Sequence, residues 1–201
     1  MRTLIYFCFL ATLICSCTTE HHVSKTLDSG VPEKMAKYRA SQVSNVHYNL
    51  SFDIPLNQQD PIPSQLVLDF DLAQLQEPVY LDFKEETSKI KSVSINGGSA
   101  TILHEQEHII LPKEHLTLGK NTVTIGFIAG ELSLNRNEDY LYTLLVPDRA
   151  RTLFPCFDQP NIKGRYTLHI TAPKDWKVLC GTEEISRYQK GDFIEHNFNA
   201  S

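Results

Sequence analysis

The chain has 201 residues, 41% of them hydrophobic and 21% charged, and its 19 basic and 24 acidic side chains leave a net charge of −5. This length supports one good-sized core, and the balance is that of a globular domain. It excludes a nucleic-acid binder built on a basic stripe, and no apolar run reaches the roughly 18 residues of a membrane-spanning helix.

The first 17 residues, MRTLIYFCFLATLICSC, stand apart. Arg2 precedes an apolar run from Leu4 to Ile14, and small residues follow, which is the order of a secretory signal. The end of the run, Ile14-Cys15-Ser16-Cys17, resembles a bacterial lipobox. That resemblance implies a lipid on Cys17 and a chain anchored in the bacterial cell envelope, at the outer membrane. Two or more acyl chains anchor stably where one holds weakly. An ordinary signal peptide that leaves Cys17 in a tail is the alternative. Of the five cysteines, Cys8 and Cys15 leave with the signal, so Cys156 and Cys180 remain. In an oxidising envelope they can pair, but the residue type favours two buried free thiols.

Residues 18–42 read as a polar tether and a short helix. TTEHHVSKTLDSGV, residues 18–31, has no periodicity. Within it, His21 and His22 read as a solvated pair, lacking the further ligands that a metal site needs. PEKMAKYRA, residues 32–40, predicts a helix with Pro32 at its first position.

From Val43 the pattern turns to β. Apolar and polar residues alternate in VHYNLSFDI (46–54) and LVLDFDL (66–72). VYLDF (79–83), IKSVSI (90–95), TVTIGFI (122–128), RYTLHITA (165–172), WKVLC (176–180) and FIEHNF (193–198) follow as strands. Asn96-Gly97-Gly98, Gly119-Lys120-Asn121 and Gly191-Asp192 mark turns between them. Many short strands with little helix predict an all-β domain over residues 43–201, an antiparallel β-sandwich-like fold.

His104-Glu105-Gln106-Glu107-His108 spells H-E-x-x-H, a zinc-peptidase signature. The chemistry needs a helix, on which the two His share one face and grip the metal while the first Glu serves as base. Here the motif lies between Thr101-Ile102-Leu103 and Ile109-Ile110-Leu111, so the flanks favour strands around a charged turn. Along one strand the two His would stand roughly 13 Å apart, too far for one metal. The Glu that follows the second His after eighteen residues in one class of zinc peptidases is replaced by Phe127. HEQEH therefore reads as a hairpin end, with no catalytic residue and no metal ligand assigned in the chain.

Residues 150–160, Ala-Arg-Thr-Leu-Phe-Pro-Cys-Phe-Asp-Gln-Pro, carry the most specific signal. Lys163 and a strand ending Ala172-Pro173-Lys174-Asp175-Trp176 follow. Pro155 and Pro160 suit a rigid corner between strands. Asp158 can accept backbone N–H bonds there and pair with Arg151. The stretch closely resembles A-R-x-x-F-P-C-F-D-x-P-x-x-K of the amino-terminal domain of aminopeptidase N-like zinc metallopeptidases. The resemblance rests on Arg151, Phe154, Pro155, Cys156, Phe157, Asp158 and Pro160, with Leu81-Asp82-Phe83 and Asn96-Gly97 in support.

The resemblance implies a saddle-shaped β domain that forms one wall of a peptide-binding cavity. It implies a zinc site in a following helical domain, beyond Ser201, so no cofactor is expected in this chain. It also implies a peptide substrate reached through that domain, a membrane partner through Cys17, and no nucleic acid. Family members hold the substrate amine with Gln-x-Glu or Gln-x-Gln upstream of the corner. Those positions are Leu144 and Val146 here, and neither side chain can accept a bond from an ammonium. Tyr140, Tyr142 and Asp148 are the polar candidates nearby, although Tyr in a strand more often packs. Tyr142, Leu144, Val146, Pro147 and Asp148 are the expected cavity wall, and a cis Val146–Pro147 bond is expected. The chain stops straight after a strand, so a truncated domain with an exposed sheet edge is expected. A free-standing, lipid-anchored module that binds peptide or protein by that edge is the alternative reading.

Overall fold

The computed structural model describes residues 27–201. Cys17, the signal segment and the His21-His22 pair lie outside them. Helix α1 (Glu33–Gln42) runs directly into β1 (Val43–Asp53). Pro32 stands one position before the helix, and Arg39 and Gln42 are buried, so this helix belongs to the domain body and does more than extend a tether. The strands that follow are β2 (Pro63–Leu72), β3 (Val79–Asp82), β4 (Ile90–Ile95) and β5 (Gly98–Ser99). Next come β6 (Leu103–Glu105), β7 (His108–Leu111), β8 (Gly119–Ile128), β9 (Leu134–Arg136) and β10 (Leu141–Thr143). The last are β11 (Gly164–Pro173), β12 (Glu184–Lys190) and β13 (Phe193–Phe198).

The strands form one eight-stranded sheet in the order β12-β13-β11-β1-β2-β8-β4-β5, a three-stranded sheet β3-β7-β6, and the hairpin β9-β10. The expected all-β fold is thus present, with one departure from antiparallel order: β1 and β11 run parallel, with Leu50 beside Leu168. The long excursion between those two strands allows this, since a parallel pair needs a crossover.

The two larger sheets face one another across the core. Leu66, Leu68 and Phe70 of β2 and Val123, Ile125 and Phe127 of β8 point inward at alternate positions. Val79 and Leu81 of β3 and Ile109 and Leu111 of β7 meet them from the other side. Phe83 closes the gap edge-on to Phe127 at 5.8 Å. Inward alternation at period two, with Thr and Ser outward, sets this register.

Two expectations need correction. Residues 176–180 form no strand, because Trp176 and Val178 pack on the core from an irregular segment without a ladder partner. The strand of that region is β12, which pairs with β13 alone and is mostly exposed. Cys180 is exposed while Cys156 is buried, and both are free thiols. Cys180 lies on the irregular surface segment, where no sheet covers it.

Gly130 joins β8 to the segment that supports the candidate site. Its N–H donates to the Leu153 carbonyl at 3.0 Å. A Cβ there would stand 2.0 Å from the Thr152 carbonyl oxygen and 2.4 Å from Glu85 Oε1. Gly130→Ala is therefore expected to cost about 1–3 kcal/mol, as overpacking does. Urea denaturation of the two chains checks this, and an unchanged midpoint would show that the backbone yields freely.

Candidate functional site

The 140–160 segment is the candidate site, and it divides sharply in two. Residues 151–157 are buried without a break, whereas 142–144 and 146–149 are exposed. In the exposed part Tyr140, Tyr142, Leu144 and Val146 form a row at alternate positions, with Val146 85% exposed. Tyr140 and Tyr142 lie ring to ring at 5.7 Å and are not the packing residues that a strand position suggests. Leu141 and Leu145 turn the other way and pack on the core. The Val146–Pro147 bond is cis, as expected from the sequence.

This segment is held at both ends. The Leu144 N–H donates to the Ser133 carbonyl, and the Arg149 N–H to that of Leu145, each at 3.0 Å. Ser133 Oγ and Thr152 Oγ1 are hydrogen-bonded to each other, and both reach the Arg149 carbonyl. Arg136 fixes the hairpin from outside by donating to the carbonyls of Pro55, Asn57 and Asp60.

Arg151 is the hinge between the exposed and buried parts. Its Nη1 lies 3.1 Å from Asp148 Oδ2 and 3.3 Å from Asp158 Oδ2, and its backbone N–H donates to Asp158 at 3.2 Å. The expected Arg151–Asp158 pair is present. Burial works against the Arg151 charge, but Asp148, Asp158 and Glu107 outweigh it and hold the guanidinium above its ordinary pKa. Burial raises the Asp158 carboxyl above its ordinary value even though Arg151 pulls it down. The Cys156 thiol is pushed well up by burial, then by Asp158 and Asp82, so it stays protonated and unreactive.

Beneath the corner lies a buried ionic centre on Asp82. Asp82 and His108 are fully buried and Arg39 is 2% exposed. Arg39 Nη1 donates to both carboxylate oxygens at 2.9 Å and to the Tyr80 carbonyl at 3.0 Å. Its guanidinium stands 5.9 Å from the Phe157 ring centre. His108 Nδ1 meets Asp82 Oδ1 at 2.9 Å, and the Asp158 N–H donates to Oδ2 at 2.9 Å. Asp82 and Cys156 also exchange backbone bonds. Tyr48, stacked on Tyr166 at 4.7 Å, accepts the Phe157 N–H. Sequence reasoning missed Arg39 and the role of Asp82. The one available signal was an acid set between the core residues Leu81 and Phe83.

HEQEH is a hairpin, as its flanks predict. Gln106 and Glu107 form a two-residue turn with φ 48° and 70°. His104 pairs with Ile109, which faces the core, so His104 and His108 lie on opposite faces of the ladder and share none. His104 bonds the Phe83 carbonyl and Thr87, and His108 bonds Asp82 and the Asp28 carbonyl. This donor set does not fit a zinc ion. Among the described residues no group of three His, Cys, Asp or Glu is placed to hold a metal. Among them also, no helix is long and apolar enough to cross a membrane.

Residues 44–201 match the family model of the peptidase M1 N-terminal domain. Over 76 residues the chain is 32% identical to leucine aminopeptidase 2-2 of Meyerozyma guilliermondii, covering 35% of this chain and 12% of that protein. Over 33 residues it is 54% identical to glutamyl aminopeptidase of Sus scrofa, covering 16% of this chain and 4% of that one. The M1 zinc metallopeptidase of Deinococcus radiodurans superposes with a TM-score of 0.63 at 16% identity, over 78% of this chain and 38% of its own. Native yeast LTA4 hydrolase gives 0.61 at 16% identity, over 79% and 27%. At such identities the structural likeness is one of fold. The chain spans well under half the length of each relative.

Two outcomes follow from the buried centre. Asp82→Ala is expected to destabilise by about 3–5 kcal/mol, because it strands a buried guanidinium. Urea denaturation measures it, and a loss below about 1 kcal/mol, the scale of a surface pair, would show that the centre is solvated. Asp158 gives the second. Its raised folded pKa makes the native state hold the proton more tightly than the unfolded chain does. Stability from this group is then full below the ordinary carboxyl pKa of about 3.9 and is lost as pH rises through the folded value. Asp158→Asn is expected to flatten that acid limb, read from urea midpoints across pH. An identical limb in the variant refutes it.

Proposed function

Because the chain belongs to the peptidase M1 N-terminal domain family, we propose that it is the non-catalytic amino-terminal domain of a membrane-anchored, aminopeptidase N-like zinc peptidase and forms one wall of its peptide-binding cavity. The observation that carries this reading is the exposed row Tyr140, Tyr142, Leu144 and Val146 on a rigid buried corner. Contiguous exposed apolar side chains mark a surface that meets something else. A ligand site needs such apolar lining with few polar groups, held on a fixed frame. Tyr142, Leu144, Val146 and Pro147 supply the lining, and Asp148 supplies a carboxylate at its end. The zinc of such a peptidase is part of the same proposal and is assigned to a following helical domain, as the family resemblance implies. The lipid on Cys17 and a place at the outer membrane are part of the same proposal and rest on residues 1–17 alone.

The test is the intact mass of the native polypeptide in the membrane fraction of its source, with its zinc content and its hydrolysis of aminoacyl amides. The expected result is a mass far above that of 201 residues, lipid at Cys17, stoichiometric zinc and hydrolysis. Leu144→Glu or Val146→Glu is then expected to raise KM about tenfold, the scale of one lost apolar contact. A mass matching residues 17–201 plus lipid, without zinc, overturns the proposal. The free-standing binding module then takes its place.

A further inference from the structure

Glu107 stands in the HEQEH turn, far along the chain from the exposed row, yet its side chain reaches toward that row. Its carbonyl accepts the Phe83 N–H at 2.7 Å. Its carboxylate, 19% exposed, holds Lys84 Nζ at 2.9 Å through Oε1. The other oxygen, Oε2, lies 3.4 Å from Arg151 Nε. Both of those atoms are buried and neither makes a hydrogen bond, so this ion-pair contact is what balances them. An uncompensated buried ionic atom is costly, so the contact fixes where the guanidinium can sit. The Lys84 N–H locks the same place by donating to the Arg151 carbonyl at 2.8 Å.

With Nε held 3.4 Å from Glu107 Oε2 as an ion pair, the fork of Arg151 presents Nη1 to Asp148 Oδ2 at 3.1 Å. Asp148 follows Pro147 and closes the exposed segment. A planar guanidinium transmits orientation, since placing one nitrogen sets the direction of the others. The geometry points to Glu107 as a positioning residue for the exposed 144–148 segment, acting through Arg151 and Asp148. The fourth residue of the zinc-peptidase look-alike thus serves the cavity wall by bracing it and touches no metal. The role as a brace for a peptide-facing surface rests on the function proposed above; the brace itself does not.

Hydrogen exchange on the full chain tests it. The reporters are the Leu144 and Arg149 amides, and the controls are amides of β2 and β8. Glu107→Gln is expected to raise exchange at the reporters roughly tenfold without moving the controls, as local opening does. Asp148→Asn is expected to do the same, and the double variant to add nothing beyond the larger single effect, the mark of one shared path. Glu107→Asp restores part of the protection, because it keeps the charge. Unchanged reporters in Glu107→Gln, a rise shared equally by the controls, or fully additive singles each overturn the inference. In the peptide-hydrolysing polypeptide, Glu107→Gln is expected to raise KM with kcat kept. Reporters that respond while KM stays fixed leave the brace standing and refute the substrate-wall reading.

Discussion

The carboxylate of Asp82 is the point on which the arrangement depends. Four separate stretches end on it: Arg39 from α1, the β3 backbone that carries it, His108 from β7, and the N–H of Asp158 from the corner. A carboxylate removed from water costs several kcal/mol unless each oxygen is well served. Here Oδ1 takes Arg39 and His108, and Oδ2 takes Arg39 and Asp158. Apolar burial would hold these stretches together with little preference for one register. A buried ion accepts one register, because shifting any partner leaves it bare.

That centre explains how an exposed apolar row can be kept in place. The chain passes from solvent to core within a few residues of Ala150, and Arg151 sits at the crossing with Asp148 on one side and Asp158 on the other. Asp158 is bound in turn to Asp82 through its own N–H. Tyr48 supports the far end by accepting the Phe157 N–H, and it lies edge-on to Phe154 at 6.3 Å. Displacement of the row must therefore disturb hydrogen bonds that reach into the buried centre. Under the function proposed above, a surface carried this way would meet a ligand without first being ordered, which removes part of the entropy cost of binding.

Much of the fold was legible because burial writes a period into the sequence. β1, β2 and β8 alternate along most of their length, and their inward residues are the core. β12 left no such trace: it lies at the sheet edge, so nothing forces alternation. The same reasoning accounts for residues 176–180, where Trp176 and Val178 mimic alternation by packing from a loop. The corner was legible from two prolines and an acid. Its partners were not, since Arg39 and His108 are distant in sequence and look like ordinary surface residues of a helix and a turn. The exposed row sits between these cases. Its position follows from the corner, but the outward direction of Tyr140 and Tyr142 depends on Leu141 and Leu145 reaching the core.

HEQEH shows why spacing alone does not specify chemistry. Four residues apart on a helix means one face, because one turn holds 3.6 residues. Four apart across a two-residue hairpin means opposite faces, because cross-strand partners share a face and neighbours along a strand do not. Such turns favour Asn-Gly, since both central residues take positive φ. Gln106 and Glu107 are poor choices by that measure, which is why no local turn signal was available. Tertiary bonds hold them there instead: Ser29 to Gln106 at 2.7 Å, and Phe83 to the Glu107 carbonyl at 2.7 Å. A turn built from long polar side chains costs some backbone freedom, but it places a carboxylate where Asn-Gly could place none. That carboxylate is the one beside Arg151, so the residues that imitate a metal site are the ones that fasten the corner.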